Sequence, residues 1–137
     1  MVAYIDGGSR GNPGPAGYGV RIEDKDGTLV EELHGALGVA TNNVAEYHGL
    51  LAALTWAADH ELQALKIRSD SELLVKQMLG VYRVKNPGLQ PLYQRARSLV
   101  SRIGRVGFQH VRRELNIEAD RLANKAMDEA GQPEMKN

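Results

Sequence analysis

The spacing of apolar positions changes along the chain, and each change marks an element. Val2-Ala3-Tyr4-Ile5 is a continuous apolar run closed by Asp6-Gly7-Gly8, the pattern of a buried strand leading into a loop. Residues 17–23 and 28–37 read as two further strands joined at Asp24-Lys25-Asp26-Gly27, where Asp-Gly signals a hairpin turn. From Thr41 or Asn42, both able to cap a helix, to His60 the composition turns to Ala and Leu. A step of about 100° per residue gathers Val44, Tyr47, Leu50, Leu51, Leu54 and Ala58 on one arc, predicting an amphipathic helix. Residues 64–69 alternate, with Leu65 and Ile67 on one side and Lys66 and Arg68 on the other, as in a strand. A short helix capped by Ser71 runs to Leu79, and Asn86-Pro87 breaks the segment 80–88 into a loop. A helix over 92–103, a strand over 106–111 and a helix over 117–130 complete the pattern.

Strand–helix–strand crossovers require parallel pairing, whereas the opening hairpins are antiparallel, so the order predicts an α/β fold with a mixed five-stranded sheet flanked by helices. At 137 residues the chain has the size of one domain, placed over residues 1–130 with a short polar tail over 131–137. No apolar run approaches the roughly 20 residues that span a bilayer, and the start has no basic flank of a signal peptide. The expectation is a cytoplasmic monomer with no membrane partner.

The composition holds no cysteine, which removes disulfides, thiolate nucleophiles and thiolate metal sites together. Any metal must be held by oxygen or imidazole, and His34, His48 and His60 show no ligand spacing. The formal net charge is +0, from 17 basic and 17 acidic residues, which argues against a basic nucleic-acid binder. By segment the zero is a cancellation: residues 1–61 hold 3 basic and 9 acidic residues, residues 62–125 hold 13 and 5. The basic excess fits a side facing a polyanion or a helix surface kept soluble by arginines.

Four carboxylates stand where a solubilising acid is not expected. Asp6 ends the most apolar strand, Asp70 ends the fourth strand, and Glu46 and Asp120 border the buried faces of their helices. Each has a local explanation as a turn or early-helix acid. Together they would repel one another at one sheet edge unless cations lay between them. Oxygen-only ligands imply hard ions, Mg²⁺ or Mn²⁺, and a pair about 3.5–4 Å apart suits in-line attack of water on a phosphodiester.

Asp6-Gly7-Gly8-Ser9-Arg10-Gly11-Asn12-Pro13-Gly14, Thr41-Asn42-Asn43-Val44-Ala45-Glu46, Ser69-Asp70-Ser71 and Asn116-Ile117-Glu118-Ala119-Asp120 resemble, in order, the motif set of type 1 ribonuclease H. The resemblance covers nearly the whole chain and implies the ribonuclease H-like three-layer fold. It also implies two ions on Asp6, Glu46, Asp70 and Asp120, and endonucleolytic hydrolysis of the RNA strand of RNA–DNA hybrids to 5′-phosphate and 3′-hydroxyl ends. Gly7, Asn42 and Asn43 inherit a minor-groove role, Asn12 and Thr41 a contact to the DNA-strand phosphate, and Ser71 and Asn116 substrate contacts. Glu72 departs from the family's frequent glutamine after Ser71.

Only Gly80 to Gly88 stands where better-known bacterial members carry a basic handle, so the chain resembles the handle-less branch. Lys76, Arg83, Lys85 and the arginines that follow are then the expected grip. The loop before the last helix lacks the family's histidine; Arg113 is expected to hold phosphate there, and His110 to be a partly buried sheet residue. Double-stranded RNA is a further candidate substrate. A catalytically silent hybrid- or RNA-binding module, and a same-fold nuclease acting on DNA, remain alternatives.

Overall fold

The computed structural model describes residues 1–132. It comprises β1 (Val2–Ser9), β2 (Gly14–Glu23), β3 (Leu29–Ala40), α1 (Asn42–Asp59), β4 (Ala64–Ser69), α2 (Glu72–Met78), α3 (Gln90–Ile103), β5 (Arg105–His110), a 3₁₀ turn (Arg113–Leu115) and α4 (Ile117–Gly131). The strands form one mixed sheet in the order β3-β2-β1-β4-β5. β1–β2 and β2–β3 are antiparallel; β1–β4 and β4–β5 are parallel. Helices lie on both faces, with α4 against β1, β2 and β3 and α1 against β1 on the other side, giving three layers as expected.

The first strand does not end at Ile5. Asp6, Gly7, Gly8 and Ser9 pair with Gly19, Tyr18, Gly17 and Ala16, so Asp6 sits inside a strand and the glycine-rich stretch is the tip of a hairpin. Glycine permits this because both faces of the hairpin are covered at contact distance. A Cβ on Gly7 would lie 2.3 Å from the Ala45 carbonyl carbon of α1, and one on Gly19 would lie 2.4 Å from the Ala119 oxygen of α4.

Helix α1 is less one-sided than its expected arc. Beside Tyr47, Leu50, Leu51 and Leu54, a second stripe of Ala45, Gly49, Ala53 and Ala57 is buried. These small residues bring the α1 backbone onto the sheet, where a Cβ on Gly49 would lie 3.0 Å from the Asp6 carbonyl oxygen, while α3 covers the helix from outside. The polar break in this core is Tyr47, whose hydroxyl donates to Gln77 Oε1 at 2.7 Å.

The hairpin turn at 24–27 is as expected: Asp24 Oδ1 accepts from the N–H groups of Asp26 and Thr28, and Gly27 has φ 85°. Only residues 79–89 separate α2 from α3, so there is no handle. Gly131 closes α4, and the expected tail lies, from residue 133 on, outside the described residues. Among the described residues no helix is long and apolar enough to cross a membrane.

Candidate active site

Asp6 from the middle of β1, Glu46 from the first turns of α1 and Asp70 from the end of β4 each place one carboxylate oxygen within 4.8 Å of the others. Their convergence follows from the packing: β1 and β4 are parallel neighbours, and Gly7 lets the N-terminal end of α1 descend onto β1 where Asp6 emerges. Asp120, in the first turn of α4, lines the same cleft of about 450 Å³ without joining that close trio.

Packing these acids together is electrostatically costly. Burial, then the negative charges of Asp70 and Asp120 together with a hydrogen bond to Asp120, pushes the Asp6 carboxyl up to about 8. Burial and the charges of Asp6 and Asp70 hold Glu46 well above the usual carboxylate range. Asp70 is also raised by burial, an effect that the Arg113 guanidinium opposes. Glu46 Oε2 is buried with no hydrogen-bond partner. A buried carboxylate oxygen facing two other carboxylates, with no thiol in the chain, fits a hard divalent cation held by Asp6, Glu46 and Asp70.

The residues expected to touch substrate fall into two groups. Asn12, Thr41 and Asn42 are exposed beside the cleft; Asn42 N–H donates to Asn12 Oδ1 at 2.9 Å, and Asn42 Oδ1 accepts from Ser9 N–H at 2.8 Å. Asn43 is exposed beside them. The Thr41 and Ser71 hydroxyls accept from Val44 and Leu74 N–H, capping α1 and α2, and each keeps its own O–H to donate. Gly7 is buried, and close packing against α1 already requires it.

Asn116, expected to contact substrate, is 1% exposed, and its Nδ2 donates to the Ile5 carbonyl at 2.8 Å. It ties the start of α4 to β1 beside Asp6. His110 is exposed rather than partly buried, because β5 is the sheet's outer strand; its Nε2 lies 3.2 Å from the Asp70 carbonyl oxygen. Arg113 reaches the cleft. Glu72 is turned aside, paired with Lys76 at 2.6 Å.

Asn124 and Arg10 escaped the sequence reading. Asn124 Nδ2 donates to the Asp120 carbonyl at 2.9 Å, and Arg10 bonds Asn124 and Asp128, walling the α4 side of the cleft. Their one sequence signal is the four-residue spacing of Asp120, Asn124 and Asp128 on one helix face.

The family described as reverse transcriptase-like matches residues 4–126. The "Bifunctional protein Rv2228c" of Mycobacterium tuberculosis is 48% identical over 133 residues, 96% of this chain and 36% of that protein. The ribonuclease HI of Halobacterium salinarum is 44% identical over 128 residues, 93% of this chain and 64% of that protein. This chain therefore spans less than two thirds of those curated relatives. The crystal structure of the Halobacterium salinarum RNase H1 superposes with a TM-score of 0.89 at 44% identity, covering 93% of this chain and 97% of that one. LC11-RNase H1, solved in complex with an RNA/DNA hybrid, gives 0.90 at 41% identity, covering 96% and 99%. On this agreement of sequence, topology and acidic cleft, the chain belongs to the reverse transcriptase-like family and, within it, to type 1 ribonuclease H.

Proposed function

We propose that this chain, as one domain over residues 1–130, is an endoribonuclease that hydrolyses the RNA strand of RNA–DNA hybrids, leaving 5′-phosphate and 3′-hydroxyl ends. The observation that carries the reading is the trio of carboxylate oxygens within 4.8 Å around a buried, partnerless Glu46 oxygen. The hybrid seen with LC11-RNase H1 supports the substrate class.

Asp6, Glu46 and Asp70 would hold Mg²⁺, or Mn²⁺ in its place, with Asp120 completing the acidic set for two ions. Bound ions of this kind supply an activated water and charge stabilisation on both sides of the scissile phosphate. The protein's own residues do the rest. Arg113 places a guanidinium beside Asp70, where it offsets the acids' charge and can hold a phosphate oxygen, a permanent cation rather than a proton carrier. The amides of Asn42, whose Oδ1 is held by Ser9 N–H, and of Asn43 present donors and acceptors without added charge, suited to base edges and the 2′-hydroxyl that marks RNA, while the Asn12 amide is left for the DNA-strand phosphate. The O–H groups of Thr41 and Ser71, positioned by their capping roles, can donate to phosphate. Lys76, Arg83 and Lys85 lie on and after α2, where a handle would stand, and supply the grip.

Action as a cytoplasmic monomer, and cleavage of double-stranded RNA, extend the same reading. Cleavage of labelled hybrid, duplex RNA and duplex DNA, each with Mg²⁺, Mn²⁺ and a chelator, tests it. Metal-dependent scission of the RNA strand of the hybrid, abolished by Glu46→Gln, is expected; metal-independent cleavage or preference for duplex DNA would overturn it.

A further inference from the structure

The sheet is not covered evenly. On its α4 side the helix packs on β1, β2 and β3 and leaves β4 and β5 uncovered. The residues pointing to that side alternate along the strands: Ala64, Lys66 and Arg68 on β4, and Arg105, Gly107 and Gln109 on β5, all exposed except the half-buried Arg68. The parallel register arranges them in rows. Val2, Lys66 and Gly107 stand side by side, then Tyr4, Arg68 and Gln109, with Arg105 beside Ala64 at the lower edge. The upper end of this field is the acidic cleft, because Tyr4 and Arg68 each precede a cleft carboxylate, Asp6 and Asp70, by two positions.

Three properties of this face matter. Lys66, Arg68 and Arg105, like most basic residues outside Arg10, Arg21, Lys76 and Arg121, form no ion pair among the described residues and leave their charge free. Arg68 lies over the Tyr4 ring at 5.5 Å and is locked there by the Tyr4 hydroxyl at 2.7 Å and Gln109 Oε1 at 3.0 Å. That makes a fixed guanidinium plane, a surface on which a nucleobase can stack. Between Lys66 and Arg105 the face sinks into a shallow depression of about 510 Å³ floored by Gly107, where a Cβ would meet nothing within 4 Å.

Cations without acidic partners, a stacking plane and an open floor are what a single nucleic-acid strand needs. Three neighbouring strands span only about 10 Å, the width for one backbone. We propose that this face binds a single-stranded extension of the nucleic acid whose hybrid portion occupies the acidic cleft. The assignment rests on the function proposed above for the choice of duplex, and on the face's own charge and shape for the extension.

The test is fluorescence anisotropy in chelator with a blunt hybrid and with the same hybrid carrying an eight-nucleotide RNA or DNA extension at either end. Cleavage of the blunt hybrid is measured separately. At least one extension is expected to tighten binding about tenfold at low salt, and to steepen the salt dependence by about 2 in log–log slope for three contacted phosphates. Lys66→Glu should remove that gain and leave blunt-hybrid cleavage unchanged. Gly107→Glu, a position with open space for the side chain, should do the same if the Lys66 variant fails to fold. Equal binding of blunt and extended hybrids, or equal weakening of both by the variants, overturns the proposal. An extension effect that depends on these residues in a chain that cleaves no hybrid would instead overturn the proposed activity and leave the face standing.

Discussion

Replacing Asp6 by Asn should stabilise the metal-free protein, because burial and the neighbouring Asp70 and Asp120 penalise the Asp6 charge. Its carboxyl titrates at about 8 in the fold against 3.8 ordinarily. Between those values the native state holds a proton that the unfolded chain has released, so stability falls as pH rises through the window. Below about pH 4 both states are protonated and the penalty vanishes. At pH 7 the interval above 3.8, at about 1.4 kcal/mol per pH unit, corresponds to about 4 kcal/mol. Side-chain relaxation and water entry reduce it, and Asp6→Asn should recover about 1–3 kcal/mol, a rise in Tm of roughly 3–10 °C. Urea denaturation of both proteins in chelator from pH 4 to 8 measures it. The gap should widen with pH, and millimolar Mg²⁺ should stabilise the native protein but not the variant. A variant less stable than the native protein at pH 7, or a gap independent of pH, would refute the electrostatic reasoning.

Arg113→Ala should lower turnover on hybrid about tenfold or more while leaving Mg²⁺-induced stabilisation in place; unchanged kinetics would remove Arg113 from the site. Asn116→Ala deletes the buried bond to the Ile5 carbonyl and should cost about 1–3 kcal/mol in chemical denaturation. Gly7→Ala puts a methyl 2.3 Å from the α1 backbone, so it should cost more than about 2 kcal/mol and impair activity by lifting Glu46 away from Asp6; near-native stability would show that α1 can retreat. Tyr47→Phe should cost about 1–2 kcal/mol, read by urea denaturation, because it strands Gln77 Oε1 in the core.

The element order was legible because each element carries a local signal: alternation in 64–69, the Asp-Gly turn at 26–27, the Ala/Leu periodicity from Asn42. The four acids were legible as a set through a family motif. As individual residues they had only the weak signal of bordering apolar faces. Two local readings failed for physical reasons. Glycines at 7 and 8 look like a loop because loop and close-packed strand both demand the absence of a side chain, and only the helices on either face distinguish them. His110 alternates as a sheet residue should, but alternation cannot tell an outer strand from an inner one, so its exposure was invisible.

By itself the sequence determined the elements, the alternation of strand directions and which residue types could hold a hard cation, since these follow from local periodicity and side-chain chemistry. Tertiary structure alone decided that three of the acids meet mutually with Asp120 reaching Asp6 from α4, that Asn116 is a buried tie to β1, and that two of the five strands are left bare and basic on one face. Those outcomes depend on strand order and on how closely helices approach the sheet, quantities set by contacts between residues more than a hundred positions apart, such as Asn116 and Ile5.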